Sequence, residues 1–353
     1  MRAALALWMV FPLAAAAQEG IFEGQGDVGT VLHKGFVEYM AGSRTYRLTG
    51  SGENVWGTAD AFQFAWKKMS GDVSLTADIT FPNTEGEAHK KAMLMIRQSL
   101  DADSAYADAA LHGNGLTSLQ SRDEKGAATH EIQSNVSAPR RLRITKAGQY
   151  FYMSIAAEGE ELHPAGGAMR VPIEGPYYVG LGVCAHNKDE IASAAFSNVQ
   201  VTPAVPSTAS RKLYSTLETI MVASTDRRVV YTAPERLESP TWTTDNMLLF
   251  TAGGKRYRIP VDGGKPEEVA TEQPGGAPDG SESERRISPD GQRAAFLAQE
   301  EQTEGEVTLR MITLANQRTT VLAKFRAVPG TINLPSWSPD GRRLAFVSYQ
   351  LIP

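Results

Sequence analysis

The stretch Asn333–Tyr349, NLPSWSPDGRRLAFVSY, constrains the fold of this chain more than any other. Pro339 fixes φ at the second position of a turn and Gly341 accepts φ > 0, so Ser338–Gly341 predicts a tight hairpin turn. After it, Leu344, Phe346 and Ser348 alternate with Ala345, Val347 and Tyr349, which is the period of a strand. The same signature stands at Ile287–Phe296, ISPDGQRAAF, and in worn form at Trp242–Phe250, WTTDNMLLF. Asp245 to Asp290 spans 45 residues and Asp290 to Asp340 spans 50. A period of that length, built of strands and turns, predicts propeller blades. Three copies fall short of a closed ring, so the expectation is an open arc. Its strand edges would be covered by the first domain, a second copy or a partner. A divergent blade within Thr271–Arg285 is the other option, but that segment is too polar and too rich in Gly and Pro. Leu217–Tyr231 has the character of outer strands, and residues 212–231 are expected to pair into the C-terminal blade, removing two edges together.

Upstream the pattern changes to short strands at close spacing. Phe62–Lys67, Val73–Phe81, Met93–Gln98, Tyr106–Leu111, Leu116–Ser121, Arg141–Lys146, Tyr150–Ala156, Tyr177–Cys184 and Ala195–Val201 all qualify, with turns such as Ser70-Gly71-Asp72 between them. Many short strands without a helical period predict a β-sandwich. Thr202–Arg211, TPAVPSTASR, reads as the boundary. The expected organisation is a leader over 1–17, a sandwich over 18–203, a linker over 204–211 and blades over 212–353. The whole is all-β: a jelly-roll sandwich plus a short, three-bladed open array.

The first residues carry one Arg, a short apolar run and Ala15-Ala16-Ala17, the pattern of a signal peptide cut before Gln18. This predicts a periplasmic or extracellular protein with no membrane span after cleavage. Net charge is 35 − 40 = −5, without a basic block, which argues against a nucleic-acid partner. Cys184 is the single cysteine and reads as a buried core residue, since an internal disulfide needs two. Gly24-Gln-Gly26-Asp-Val-Gly29 fits a dinucleotide-binding spacing but lacks the strand–helix context. No G-x-S-x-G or H-E-x-x-H occurs, and the six histidines show no metal-ligand spacing.

Three features carry candidate binding chemistry. Asp60, Phe62, Phe64 and Trp66 alternate, so the aromatic residues share one face; a core between two sheets is preferred to a stacking platform. Trp56, in a turn-rich run beside Asp60, is the better surface candidate. Arg97, His112 and Gln120 each lie on or at the end of a predicted strand and could converge on the concave sheet, or simply be solvated strand ends. Asp101 and Asp103, with Asp108 nearby, suit Ca²⁺ in ligand type but are too few for a full site, so an ordinary acidic loop is preferred and no cofactor is otherwise expected.

GSGENVWGTADAFQFAWKKMSGDVSLTADITF (Gly50–Phe81) and AFSNVQV (Ala195–Val201) resemble the opening and closing strands of concanavalin A-like, laminin-G-like jelly rolls of the DUF1349-like group. SPDGRRLAF and RYRIPVDGGKPEEV resemble the WD40-like repeats of TolB-type periplasmic propellers, which carry more blades than the three found here. The sandwich fold that the resemblance implies hosts lectins, hydrolases and spacers. The expectation is an exported, non-catalytic recognition protein, the jelly roll taking a glycan and the blades a protein partner or a second copy. The alternatives are a polysaccharide-active hydrolase and an envelope scaffold. The E-x-D-x-x-E strand signature of jelly-roll glucanases is missing.

Overall fold

The structure, a computed structural model, describes residues 20–83, 85–204, 212–270, 285–300, 305–326 and 333–352. The expected leader, most of the expected linker and nearly all of the segment 271–285 lie outside these residues. Every regular element among the described residues is a strand.

Two large antiparallel layers build the sandwich. In one sheet the order runs Gly24–Val28, Phe62–Met69, Tyr177–Cys184, Lys91–Arg97, Tyr106–His112, Thr117–Arg122, His130–Gln133. In the other, Tyr150–Ala156, Arg141–Ala147, Val73–Thr80, Ala192–Pro203, Thr45–Gly50 and Phe36–Met40 follow one another. Strict alternation makes the core between them. Val73, Leu75, Ala77 and Ile79 point inward from the second sheet and meet Leu94, Ile96, Ala107, Ala109 and Leu119 of the first. Each fully buried Leu or Ile contributes roughly 1.5–3 kcal/mol.

Phe62 and Phe64 correct the expectation drawn from their alternation. They are fully buried, but not between the sheets, where Ala65 points instead. They belong to a second apolar cluster on the opposite face of the first sheet, with Val28, Val55, Met93, Met95, Tyr106 and Cys184. Trp66 extends this cluster and lies against the bare backbone of Gly24 and Gly26, so the glycine-rich segment serves close packing.

The repeats fold as three four-stranded units, and no closed propeller forms among the described residues. One unit runs Leu237–Trp242, Met247–Ala252, Lys255–Pro260, Glu267–Val269. Another runs Arg286–Ile287, Arg293–Gln299, Glu306–Thr313, Arg318–Arg326. The third is made of Arg227–Ala233, Lys212–Met221, Arg343–Ile352 and Ser336–Trp337. Here Lys212–Met221 pairs antiparallel along the whole of Arg343–Ile352.

The third unit is the middle layer. Ala345, Val347 and Tyr349 pack on the first unit around Trp242 and Phe250, whereas Leu344 and Phe346 pack on the second around Leu309 and Phe325. The turns repeat in detail. Gly341 N–H donates to the Ser338 carbonyl at 2.9 Å, as Gly291 does to Ser288 at 2.9 Å and Asn246 to Thr243 at 3.2 Å. All three donors hold positive φ, which Asn tolerates next best to Gly. Arg343 lies over the Trp242 ring at 4.9 Å and Arg293 over Trp337 at 5.2 Å, so the same repeat position staples each pair of layers.

The array is joined to the sandwich. Ile132 and Gln133 pair in parallel with Arg227 and Arg228, making one continuous eleven-stranded sheet. Beside that seam Arg227 Nε donates to Glu218 Oε2 at 2.8 Å and its Nη1 to the Ala168 carbonyl at 2.8 Å. Gln350 Nε2 donates to the Gly166 carbonyl at 2.6 Å, and Tyr150 O–H to Glu306 Oε2 at 2.5 Å. One edge strand of the array, Arg227–Ala233, is thus partly paired with the first domain.

Candidate functional site

Strand alternation sends a polar set onto the outer face of the first sheet. Lys91 and Arg97 project there from one strand, Asp108 and His112 from the next, Ser118, Gln120 and Arg122 from the third. Ladder pairing places Asp108 opposite Gln120, and Gln120 opposite Glu131. A short hairpin, Val55–Trp56 paired with Ala59–Asp60, lies over this set. Gly57, with φ 60°, makes its turn.

Asp60 is the anchor of that hairpin. Its two oxygens accept a bidentate pair from Arg122, Nη2 to Oδ1 at 2.7 Å and Nη1 to Oδ2 at 2.9 Å. Arg97 Nη2 approaches Oδ2 at 3.4 Å. Arg122 also donates to the Gly57, Ala127 and Ser104 carbonyls, and Arg97 to those of Ser99 and Asp101. Burial pushes the Asp60 carboxyl up, and the Arg122 bonds and Arg97 charge oppose it. Asp60 and Arg97 therefore come together, as part of a buried clamp rather than as an exposed binding surface.

Lys91 is the second clamp. Its ammonium donates to the Val55 carbonyl at 2.7 Å, Asn54 Oδ1 at 3.0 Å and Gln120 Oε1 at 3.2 Å, which uses all three of its protons. The same Nζ lies 5.3 Å from the centre of the Trp56 ring. Trp56 is half-buried, its ring steadied from one side by a cation. Glu131 and Gln133, also half-buried and bonded to each other at 2.6 Å, continue the same face.

Asp108 is fully buried and neither of its oxygens has a hydrogen-bond partner. Burial holds its carboxyl up at about 8, against the pull of Lys91. His112 is buried too, and burial with the Lys91 charge drives it down to about 3, so its imidazole is neutral. Cys184 is free and buried, its thiol pushed up to about 11.

The structure separates the three carboxylates weighed as calcium ligands. Asp101 and Asp103 lie at the surface, where Lys125 Nζ stands 2.7 Å and 3.5 Å from their carboxylates and supplies the cation. Asp108 is not in that loop; it sits in the middle of a strand. Among the described residues, no group of three or more His, Cys, Asp or Glu side chains is placed so that it could hold a metal ion.

Sequence reasoning missed Lys91, Arg122 and Glu131. The first two were legible in the alternations Lys91-Met93-Met95-Arg97 and Ser118-Gln120-Arg122, which put them on the face of residues already singled out. Glu131 lay on a strand whose short run, HEIQ, carries too little pattern to declare itself.

Neither a family model nor a curated protein matches this chain. Among solved structures it is similar to a functionally unknown protein from Saccharomyces cerevisiae, at 14% identity and TM-score 0.38, over 48% of this chain and 92% of that one. It is also similar to the carbohydrate-binding module CBM66 from Bacillus subtilis, at 17% identity and TM-score 0.34, over 51% and 96%. A β-1,3-1,4-glucanase (lichenase) from a mouse hindgut metagenome is similar at 11% identity and TM-score 0.30, over 47% and 83%. No residue role is carried over from these proteins.

Proposed function

We propose that the chain is an exported, non-catalytic recognition protein that binds carbohydrate at the rim around Trp56. The observation that carries this reading is the held indole. Trp56 is half-buried on a hairpin fixed from beneath by Asp60, Arg122 and Lys91, with the amides and carboxylate of Asn54, Gln133 and Glu131 near the same face. A flat apolar surface beside a few fixed polar groups suits a ligand that is apolar on one face and rich in hydroxyls at its edges. The rigid setting lowers the ordering cost of binding. The apolar leader pattern supports export, and the array offers strand edges for a protein partner or a second copy. Titration of the mature chain and of Trp56→Ala against a panel of cell-wall and plant polysaccharides tests it. Saturable binding weakened at least about tenfold in the variant is expected, the loss of one central aromatic anchor.

One observation favours hydrolysis instead. Asp108 keeps its proton to about pH 8 and shares a cross-strand row with Glu131, and a raised carboxyl is the state a general acid requires. Both Asp108 oxygens are buried, so a substrate would have to displace the hairpin to reach them. Glycan turnover abolished by Asp108→Asn would select this reading.

A further inference from the structure

The repeats stack through one contact that recurs in register. In each unit the residue ahead of the turn pairs across the hairpin with the residue that follows one fixed position. Trp242 pairs with Leu248, after Met247; Ile287 with Ala294, after Arg293; Trp337 with Leu344, after Arg343. Within the chain Arg343 lies over Trp242 and Arg293 over Trp337, which uses both arginines and both tryptophans. Ile287 and Met247 hold the same two positions and are left over, one at each end of the array. We propose that these ends meet between two copies of this chain, Ile287 of each copy lying against Met247 of the other.

Alternation puts both residues on outward faces. In the unit that ends at Arg326, Ala295 and Leu309 pack toward the middle layer, so Ala294 and Phe296 point away from it. Ladder pairing sets Ile287 beside Ala294, and Arg310 between Phe296 and Val321. Ile287 is 53% exposed and Val321 40%. In the unit that begins at Leu237, Leu248 and Phe250 pack toward the middle layer, so Met247 and Leu249 point away from it. Each end thus shows an apolar strip on a sheet face.

The left-over pair selects its occupant. Inside the array the contact is a cation over an indole. At the open ends both members change together: Ile287 offers no π face and Met247 no charge. An Ile–Met contact gains when it is taken out of water, as a second copy would take it. The charges beside the strips are matched within their own faces, Arg258 with Asp245 and Arg310 with Glu300. The two halves of the contact lie at opposite ends of one chain, so the association is head to tail, and such a contact either closes into a ring or runs on as a filament. Rings of four-stranded units hold about four to eight of them. Two copies, each with three units, fall within that range. The inference rests on the reading of the array as a surface for a second copy. Polysaccharide binding at the Trp56 rim is measured apart from it, so either can fail alone.

Sedimentation velocity of the mature chain over a range of concentrations tests it. A dimer is expected for the wild type. Its dissociation constant should rise at least about a hundredfold in Ile287→Glu and in Met247→Lys, because each dimer holds two seams and loss of an interface anchor costs about tenfold or more at each. Neither residue belongs to the apolar clusters of the array, so both variants should keep the wild-type circular dichroism. An equimolar mixture of the two should dimerise again: one seam then joins the two substituted ends with opposite charges, and the other joins two unsubstituted ends. Phe36→Glu, on the edge strand of the sandwich and equally exposed, should dimerise as wild type. A wild type that stays monomeric or grows beyond a dimer, single variants that dimerise as wild type, or a mixture that stays monomeric overturns the proposal.

Discussion

Asp60 Oδ1 accepts a hydrogen bond from Arg122 Nη2 at 2.7 Å, and neither side chain has any exposed surface. Two arginines and one carboxylate are thus withdrawn from water to hold one short hairpin on the sheet. A bidentate pair whose arginine also donates to the Gly57, Ala127 and Ser104 carbonyls is the arrangement in which buried ions persist.

Asp60→Ala should destabilise the chain by about 3–5 kcal/mol, because it strands Arg122 and Arg97 without a counter-charge. Urea denaturation checks this. A loss below about 1 kcal/mol, the range of a surface ion pair, would contradict it.

Asp108 sets a pH dependence of definite sign. Folded, it keeps its proton to about pH 8, whereas in the unfolded chain it loses it near pH 4. Between these values the folded state binds the extra proton, so stability falls as pH rises. His112, held neutral down to about pH 3, gives the opposite slope, but only below its ordinary value of about 6.5. From about pH 6.5 to 8 the Asp108 effect stands clear of His112, at no more than about 1.4 kcal/mol per pH unit. Asp108→Asn should flatten this window relative to wild type, as read by denaturation at pH 6.5 and pH 8.

Glu218 and Arg227 couple the two parts of the molecule. Glu218 is fully buried, and Arg227, with 4% of its side chain exposed, reaches both Glu218 and the sandwich carbonyl of Ala168. Glu218→Ala should cost about 3–5 kcal/mol and separate the unfolding of sandwich and array. Calorimetry should show one transition in the wild type and two in the variant.

Calcium should not stabilise the loop at Asp101 and Asp103, since Lys125 already pairs with both carboxylates and two carboxylates are too few for a calcium site. Thermal melts with CaCl₂ and with a chelator should superimpose.

The architecture was legible where the pattern was long and periodic. The run Leu344–Tyr349 reads as a strand, and in the structure it is the middle layer of the array, buried on both faces. The turn at Thr243–Asn246 was visible because Thr and Asn replace Ser and Gly with chemistry that serves the same bonds. Alternation also placed Phe62 and Phe64 on one face, but period alone does not say which face meets the other sheet. Arg97 reads as a solvated strand end because an isolated strand gives no hint of the hairpin that closes over it.

The central claim is recognition through a held indole at Trp56, and titration of wild type and Trp56→Ala with polysaccharides tests it most directly. The account predicts saturable binding by the wild type, weakened at least about tenfold in a variant that remains folded. Equal binding by both proteins, or none by either, would contradict it and turn attention to the strand edges of the array.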